Sequence, residues 1–318
     1  MYDIIVIGAG PAGLAAALYT SRRMLKTLVI AKNVGGQAAQ AKRVENYPGI
    51  KAISGMDISM EMKEQAEGFG SEFKLEEALG VEKKAKKFVV KTSIGKYEAK
   101  SVILAFGLTP RDLSVPGEKE FVGKGVSYCA TCDAPFFKDK TVAVVGGGNS
   151  AIDGALVLSK IAKKVYIVHR RASFRAEAEL VCQIEDAKNI EPVLNSVVKE
   201  IRGKDVVQEV VIENVETRHA SSKKTDGIFI EVGLMPKTGW VKDTVKLDGK
   251  NQIITNKNCE TSTPGIFAAG DVSDVLFKQI GIAAGEGAIA ALMAHRYILK
   301  LEGKDITQAV PFDWGKCK

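Results

Sequence analysis

The stretch YDIIVIGAGPAGLAAALYTSRRMLKTLVIA, residues 2–31, reads as a strand, a glycine turn, a helix and a second strand. Its apolar start ends at Gly8, and Gly8, Gly10 and Gly13 frame Pro11 and Ala12 ahead of an alanine- and leucine-rich run. In a βαβ unit of this kind the missing Cβ atoms let backbone N–H groups at the helix N-terminus approach a pyrophosphate. Three spaced glycines alone say little. The strand before them and the helix after them make a dinucleotide fingerprint.

Working outward, the pattern returns at TVAVVGGGNSAIDGALVLSKIAKKVYIVHRR, residues 141–171, with Gly146, Gly148 and Ala151 in the fingerprint positions and Asn149 and Ser150 between them. Gly8 to Ala31 and Gly146 to His169 span the same 23 positions, from turn to end of second strand. Equal spacing implies two equivalent units and two dinucleotide sites in one chain, an arrangement suited to electron transfer between cofactors. At the end of the second unit's second strand, HRRASFR (169–175) sets Arg170, Arg171 and Arg175 where an adenosine ribose would lie. Guanidinium forks suit a doubly charged phosphate, so NADPH is expected in this unit, as against a merely solvated basic helix start. The first unit shows Ala31 and Lys32 at the corresponding place, which leaves its ribose contact unassigned.

A third glycine-rich segment, TSTPGIFAAGDVSD (261–274), contains Gly270 and Asp271. The aspartate suits a ribityl hydroxyl or a pyrophosphate-bound water, the alternative being a turn aspartate. If this segment completes the first domain, the chain leaves that domain and returns to it. The expected fold is therefore α/β, with two Rossmann-like dinucleotide-binding domains, the second inserted into the first. The parts are 1–111 and 240–318 for one domain and 112–239 for the other. The joins LTPRDLSVPGE and GLMPKTGW carry the Pro and Gly of hinges.

Composition sets the frame. A chain of 318 residues with 46% hydrophobic and 26% charged content is long enough for two cores and is neither fibrous nor disordered. Its net charge of +7 is spread along the chain with no basic run interleaved with aromatics, so nucleic acid is not an expected partner. The apolar N-terminus holds Asp3 and several helix-breaking glycines and has no cation before its apolar stretch, so it does not read as a signal peptide. No run of eighteen apolar residues suggests a membrane span. Cysteines at 129, 132, 182, 259 and 317 are odd in number and do not form a secreted disulfide framework, which points to the cytoplasm.

SYCATCDA, residues 127–134, pairs Cys129 with Cys132 and follows them with Asp133. Three readings stand: a metal clip, a buried inert pair, or a redox couple. A zinc clip requires four ligands, and His169, His219 and His295 are distant in sequence. An inert pair accounts for neither Asp133 nor the nucleotide turns. As a redox couple on a helix's first turn, the pair closes a small disulfide ring, the helix dipole favours a thiolate, and Asp133 serves as general acid.

Taken together, GAGPAG (8–13), GGQ (35–37), VENYPG (44–49), CATCD (129–133), GGGNSA (146–151), HRRASFR (169–175) and GIFAAGD (265–271) resemble the low-molecular-weight thioredoxin reductases over nearly the whole length. The resemblance implies a homodimeric enzyme, free of metal, that passes electrons from NADPH through FAD and the Cys129–Cys132 disulfide to thioredoxin or a glutaredoxin-like small dithiol protein. It implies that 1–111 and 240–318 bind FAD, and it extends the FAD contacts to Gly35, Gly36, Gln37, Asn46, Lys278, Gln279 and Ile280. It places His169, with the arginines, at NADPH, Cys132 toward flavin and Cys129 toward the partner. In the glutathione reductase branch the redox cysteines follow the first βαβ unit, whereas residues 14–128 here contain none. The disulfide therefore travels with the NADPH domain, which by resemblance swings about the two joins.

The chain departs from the family pattern at Phe106, at Lys278 and Ile280 flanking Gln279, and at Asp153-Gly154, where the family has an acidic pair. Cys317, in the tail GKDITQAVPFDWGKCK, reads as a free thiol at a frayed end. Two rivals remain: a related flavoprotein that uses a ferredoxin or deazaflavin donor or acts as a dithiol oxidase, and a nucleotide-binding redox sensor without turnover. The arginine cluster argues against the first.

Overall fold

The computed structural model describes residues 1–41 and 43–305. Cys317 lies with the tail residues 306–318 outside the described residues. The chain divides into a first unit, Met1–Thr109 with Pro236–Lys318, and a second unit, Pro110–Met235, inserted into it.

The first unit opens with β1 (Tyr2–Ala9), α1 (Pro11–Ser21) and β2 (Thr27–Val34). After α2 (Gly55–Gly68) come β3 (Glu72–Leu75), β4 (Ala78–Lys84), β5 (Lys87–Thr92) and β6 (Lys96–Leu104). A short strand, β7 (Thr109–Pro110), leads into the second unit. That unit begins with β8 (Val126–Ser127), α3 (Ala130–Asp133), β9 (Thr141–Val145), α4 (Asn149–Ser159), β10 (Lys164–Val168), α5 (Ala178–Asp186) and β11 (Ile190–Val193). It continues through β12 (Ser196–Gly203), β13 (Val207–Asn214), β14 (Ala220–Lys224), β15 (Gly227–Ile230) and β16 (Leu234–Met235). The chain then completes the first unit with β17 (Ile266–Ala268) and α6 (Ile280–Leu301). No helix among the described residues is long and apolar enough to cross a membrane.

The first unit's sheet runs β3-β2-β1-β6, with β17 pairing parallel to the end of β6 and the antiparallel β5-β4 extending the other part of it. Ile4, Ile5, Val6, Leu28, Val29 and Ile30 are all fully buried, as expected of parallel strands covered on both faces. Alanines 12, 15, 16 and 17 let α1 pack closely, and a Cβ at Gly287 of α6 would overlap the carbonyl of Ala12.

The second unit repeats the plan in the order β11-β10-β9-β15-β8, every pair parallel, beside an antiparallel β12-β13-β14 sheet. Its core has two faces, one around Ile152, Leu158 and Phe229, the other around Val210 and Ile228. Both units are thus Rossmann-like, and the second interrupts the first.

The expected joins at 111/112 and 239/240 fall at Thr109/Pro110 and Met235/Pro236 instead. Local bonds explain the shift. Arg111 N–H donates to the Gly233 carbonyl at 2.9 Å, which holds Arg111 within the second unit. Trp240 packs on Phe106 at 5.0 Å between ring centroids and Val241 is fully buried in the first unit's core, so the chain has already rejoined that unit before residue 240.

Candidate active site

β9 ends at Val145 and turns sharply at Gly146, whose φ of +153° and lack of a Cβ are both required because the Glu231 carbonyl occupies the space a side chain would take. Gly148 then caps α4 without a side-chain hydrogen bond, so the first N–H groups of the helix, at Asn149 and Ser150, have no capping acceptor. Space beside Gly148 is open for at least 4 Å, whereas Ala151 packs behind the turn. These are the features of an anion cradle.

The arginine segment is bound to that cradle. Arg175 N–H donates to the Gly147 carbonyl at 2.7 Å. Asn149 and Glu177 bond reciprocally: Asn149 Nδ2 donates to Glu177 Oε1 at 2.9 Å, and Glu177 N–H donates to Asn149 Oδ1 at 3.0 Å. The His169 ring lies where a Cβ on Gly147 would be, is only 6% exposed, and has an Nε2 without a hydrogen-bond partner. Burial, with the charges of Arg175, Arg171 and Arg170 acting in the same direction, holds its pKa below the usual histidine range. The guanidiniums of Arg170, Arg171 and Arg175 are exposed and have no acidic partner among the described residues, leaving them available to a phosphate.

The first unit repeats this construction at its own turn. Gly8 has φ +112° and sits against the Ala105 backbone, while a Cβ on Gly13 would overlap the Gly8 carbonyl. Gly10 caps α1 without a side-chain bond, and Pro11 occupies the first helical position, where no donor is lost. Gly35 N–H donates to the Ala9 carbonyl at 2.7 Å, bringing the Gly35-Gly36-Gln37 turn beside the fingerprint. Lys32 turns outward and pairs with Glu77 at 2.5 Å.

The late segment reaches the same place. A Cβ on Gly270 would stand 2.8 Å from that of Ala12, and Gly270 N–H donates to Glu286 Oε2 at 2.7 Å. Lys278 Nζ donates to the carbonyls of Asp271 at 3.0 Å and Ser273 at 2.8 Å. Burial raises the pKa of the Asp271 and Glu286 carboxyls and lowers that of the Lys278 ammonium. Asn46 Nδ2 donates to Gln279 Oε1 at 3.1 Å, one residue before Ile280 opens α6. Residues far apart in sequence thus meet at one edge of the first unit.

Cys129 and Cys132 form a disulfide, S–S 2.02 Å. Cys129 is the N-cap of α3 and half-buried, and Cys132 is exposed. Cys132 N–H points at Cys129 Sγ at 3.2 Å. The sequence suggested a helix dipole, but α3 is four residues long and gives way to a 3-10 turn at Ala134–Phe137. A thiolate at Cys129 would therefore be held by this N–H and by the Thr131 hydroxyl, 3.4 Å from Sγ, rather than by a long helix. Asp133 follows, half-buried, its N–H donating to the Cys129 carbonyl at 3.2 Å. No group of three His, Cys, Asp or Glu side chains suited to a metal occurs among the described residues.

Three acids in these surroundings carry no motif: Glu177, Glu286 and Glu231. Glu231 follows β15, and Ala130 N–H points at its Oε1 from 3.5 Å. Burial raises this carboxyl to about 7. Only the pairing of β15 with β9 reveals it.

The model of the pyridine nucleotide-disulphide oxidoreductases matches residues 2–287. The thioredoxin reductase of Peptoclostridium acidaminophilum is 42% identical, covering 94% of this chain and 97% of its own. That of Bacillus subtilis is also 42% identical, with 95% and 96% covered. The crystal structure of the Lactococcus lactis thioredoxin reductase is 40% identical, covers 94% of this chain and 100% of its own, and has a TM-score of 0.83. The chain belongs to the pyridine nucleotide-disulphide oxidoreductase family. Within it, the chain falls among the low-molecular-weight thioredoxin reductases, oxidoreductases that depend on a flavin and a pyridine nucleotide and work through a disulfide centre.

Proposed function

We propose that the first unit binds FAD, that the second binds NADPH, and that electrons pass from NADPH to the Cys129–Cys132 disulfide and on to the disulfide of thioredoxin or a glutaredoxin-like small dithiol protein. The observation that carries this reading is the disulfide itself, set just ahead of β9 in the unit whose phosphate turn is bonded to the arginine segment. The two uncapped helix N-termini support one dinucleotide in each unit. In the first unit the pyrophosphate falls to Gly8, Gly10, Pro11, Ala12 and Gly13. The remaining contacts fall to Gly35, Gly36, Gln37, Asn46, Gly270, Asp271, Lys278, Gln279 and Ile280. In the second, Gly146, Gly148, Asn149, Ser150 and Ala151 take the pyrophosphate, while His169, Arg170, Arg171 and Arg175 take the phosphorylated ribose.

Held by the first unit's residues, a flavin would supply hydride acceptance and two-electron reduction of a disulfide. Opening the Cys129–Cys132 bond leaves one sulfur as a thiolate, and Asp133 supplies the proton that a leaving thiolate takes up. Cys132 is assigned to the flavin side. Cys129 attacks the partner disulfide, and Cys132 then closes on the mixed disulfide to release the reduced partner. A homodimer in the cytoplasm fits the family and the unpaired cysteine count.

Anaerobic titration of the purified protein with NADPH and NADH, followed by turnover with the organism's own thioredoxins, tests the reading. Flavin bleaching by NADPH and disulfide reduction are expected. Equal rates with NADH would overturn the role given to the arginines, and bleaching without turnover on any thioredoxin-like protein would overturn the partner assignment. Light scattering on the eluting protein should show twice the chain mass.

A further inference from the structure

The residue after β15 sits at a particular place in the second unit. Glu231 N–H donates to the Val145 carbonyl at 2.8 Å, keeping it beside the end of β9. In the order β11-β10-β9-β15-β8, the chain winds away from β9 on one side through α4 to β10 and returns on the other as β15. The crevice beyond the carboxyl ends of such a strand pair is where open α/β sheets take their ligands.

Glu231 borders that crevice at two points. Its carbonyl fills the space that makes Gly146 obligatory, and its Oε1 faces the N–H of Ala130, the residue after Cys129, at 3.5 Å. Helix α4 leaves room for the carboxyl. A Cβ on Gly154 would stand 3.0 Å from the Ala130 Cβ and 4.0 Å from Glu231 Oε1, so a larger residue would compete for the same space.

We propose that Glu231 is a proton-holding, positioning residue of the Cys129–Cys132 centre, ionised while the pair is a disulfide and protonated when the pair is open. The proposal rests on the redox reading of the pair. Breaking the S–S bond with the two electrons of the established reduction leaves, near neutral pH, one thiol and one thiolate. One proton is bound on sulfur. The Ala130 N–H that faces Glu231 Oε1 at 3.5 Å directly follows Cys129, and a thiolate charge on the pair favours the neutral acid, so the second proton, from solvent, is held on the carboxyl and leaves when the disulfide re-forms.

The surroundings suit this task. Burial raises the pKa of Glu231 to about 7, opposed only by the Ala130 N–H. The titratable groups on the elements packed around it are Cys129, Cys132 and Asp133 on the α3 turn, Asp153 on α4, and His169 behind Gly147 after β10. Burial and the charge of Glu177 raise the Asp153 carboxyl, and burial lowers the pKa of His169. Among the described residues, no cation shifts Glu231.

The test uses a chemical reductant, so it does not depend on nucleotide, flavin turnover or partner. Wild type and Glu231→Gln holoenzyme are equilibrated with reduced and oxidised dithiothreitol from about pH 6 to about pH 9. The mixtures are quenched by alkylation, and the reduced fraction of the 129–132 pair is read by mass spectrometry. At about pH 8, where Glu231 is ionised beside the closed disulfide, wild type should take up close to two protons per electron pair, and Glu231→Gln, which keeps an acceptor for Ala130, should take up one. A variant slope that superimposes on wild type overturns the proposal, since a merely structural carboxyl is replaced by glutamine without effect on proton count. On wild type alone, the reduced-minus-oxidised infrared spectrum should gain a protonated-carboxyl band at about pH 8, and its absence also overturns the proposal. Failure of wild type to reduce a thioredoxin would sink the redox reading while leaving these two measurements intact.

Discussion

The backbone N–H of Arg175 donates to the carbonyl of Gly147 at 2.7 Å, fastening the arginine segment to the turn that begins α4. Under the proposed NADPH assignment, recognition of one end of the nucleotide is thereby held in register with recognition of its middle. Replacing Arg170, Arg171 and Arg175 with alanine leaves this backbone bond in place and removes only the guanidiniums. Each charge-assisted hydrogen bond contributes about 1.5–3 kcal/mol, and the three are exposed and not additive. A loss of about 10²–10³ in kcat/KM for NADPH is expected, with NADH turnover nearly unchanged, measured by steady-state kinetics at two salt concentrations.

Gly147 admits no side chain because the His169 ring occupies that space. Gly147→Ala should cost about 1–3 kcal/mol, since the ring is buried and its neighbours are packed. Denaturant unfolding measures the cost. The KM for pyridine nucleotide should rise, while flavin content, which the proposed function gives to the first unit's turn, should stay at the wild-type level.

Cys132→Ser and Cys129→Ser should each abolish disulfide reduction and leave one thiol where the pair stood, counted by alkylation under native conditions. Flavin bleaching by NADPH should survive in Cys132→Ser. Asp133→Asn should keep both thiols and lower turnover by about 10²-fold, the scale of a lost general acid.

Lys100 Nζ joins Asp3 at 2.8 Å and Glu302 at 2.6 Å, linking β6, β1 and the end of α6. The hydrogen bond from Lys100, followed by that from Lys304, holds the Glu302 carboxyl at about 2, below its ordinary 4.5. A depressed folded value means that the stabilisation is present above about pH 4.5 and is lost as pH falls toward 2. These side chains are about a quarter exposed, so the network contributes about 0.5–1 kcal/mol. Lys100→Met should lose that amount at pH 7 and match wild type near pH 2 in urea unfolding, the difference closing between those limits.

Much of this architecture was legible because its key requirements are local. Gly8 and Gly146 must adopt positive φ, and the apolar strands before them and the helices after them are contiguous in sequence, so each turn shows its whole motif. The cysteine pair is legible for the same reason. Glu231 is a different case. It approaches Ala130 only because β15 pairs with β9, a relation between strands more than eighty residues apart, and a lone glutamate after an apolar run has no pattern of its own. Glu286 and Glu177 were missed likewise, since what marks them is a partner, Gly270 or Asn149, rather than a neighbour in sequence. The contact division at Thr109/Pro110 and Met235/Pro236 depends on what Arg111 and Trp240 bond and stack upon, which composition does not show.

The insertion also sets an order of assembly. Residues 110–235 are continuous, and every strand of their parallel sheet has emerged once Ile230 has been synthesised. The first unit must wait: β17 pairs with β6, and α6 lies on α1 from nearly the far end of the chain. On the ribosome, the later-starting unit can therefore close first. Meanwhile the N-terminal strands, apolar and incompletely covered, stay open until α6 arrives. The period of greatest exposure to misassembly falls between synthesis of Leu104 and of Leu301, a span in which a chaperone would find its binding surface on β1, β2 and α1 rather than on the disulfide-bearing unit.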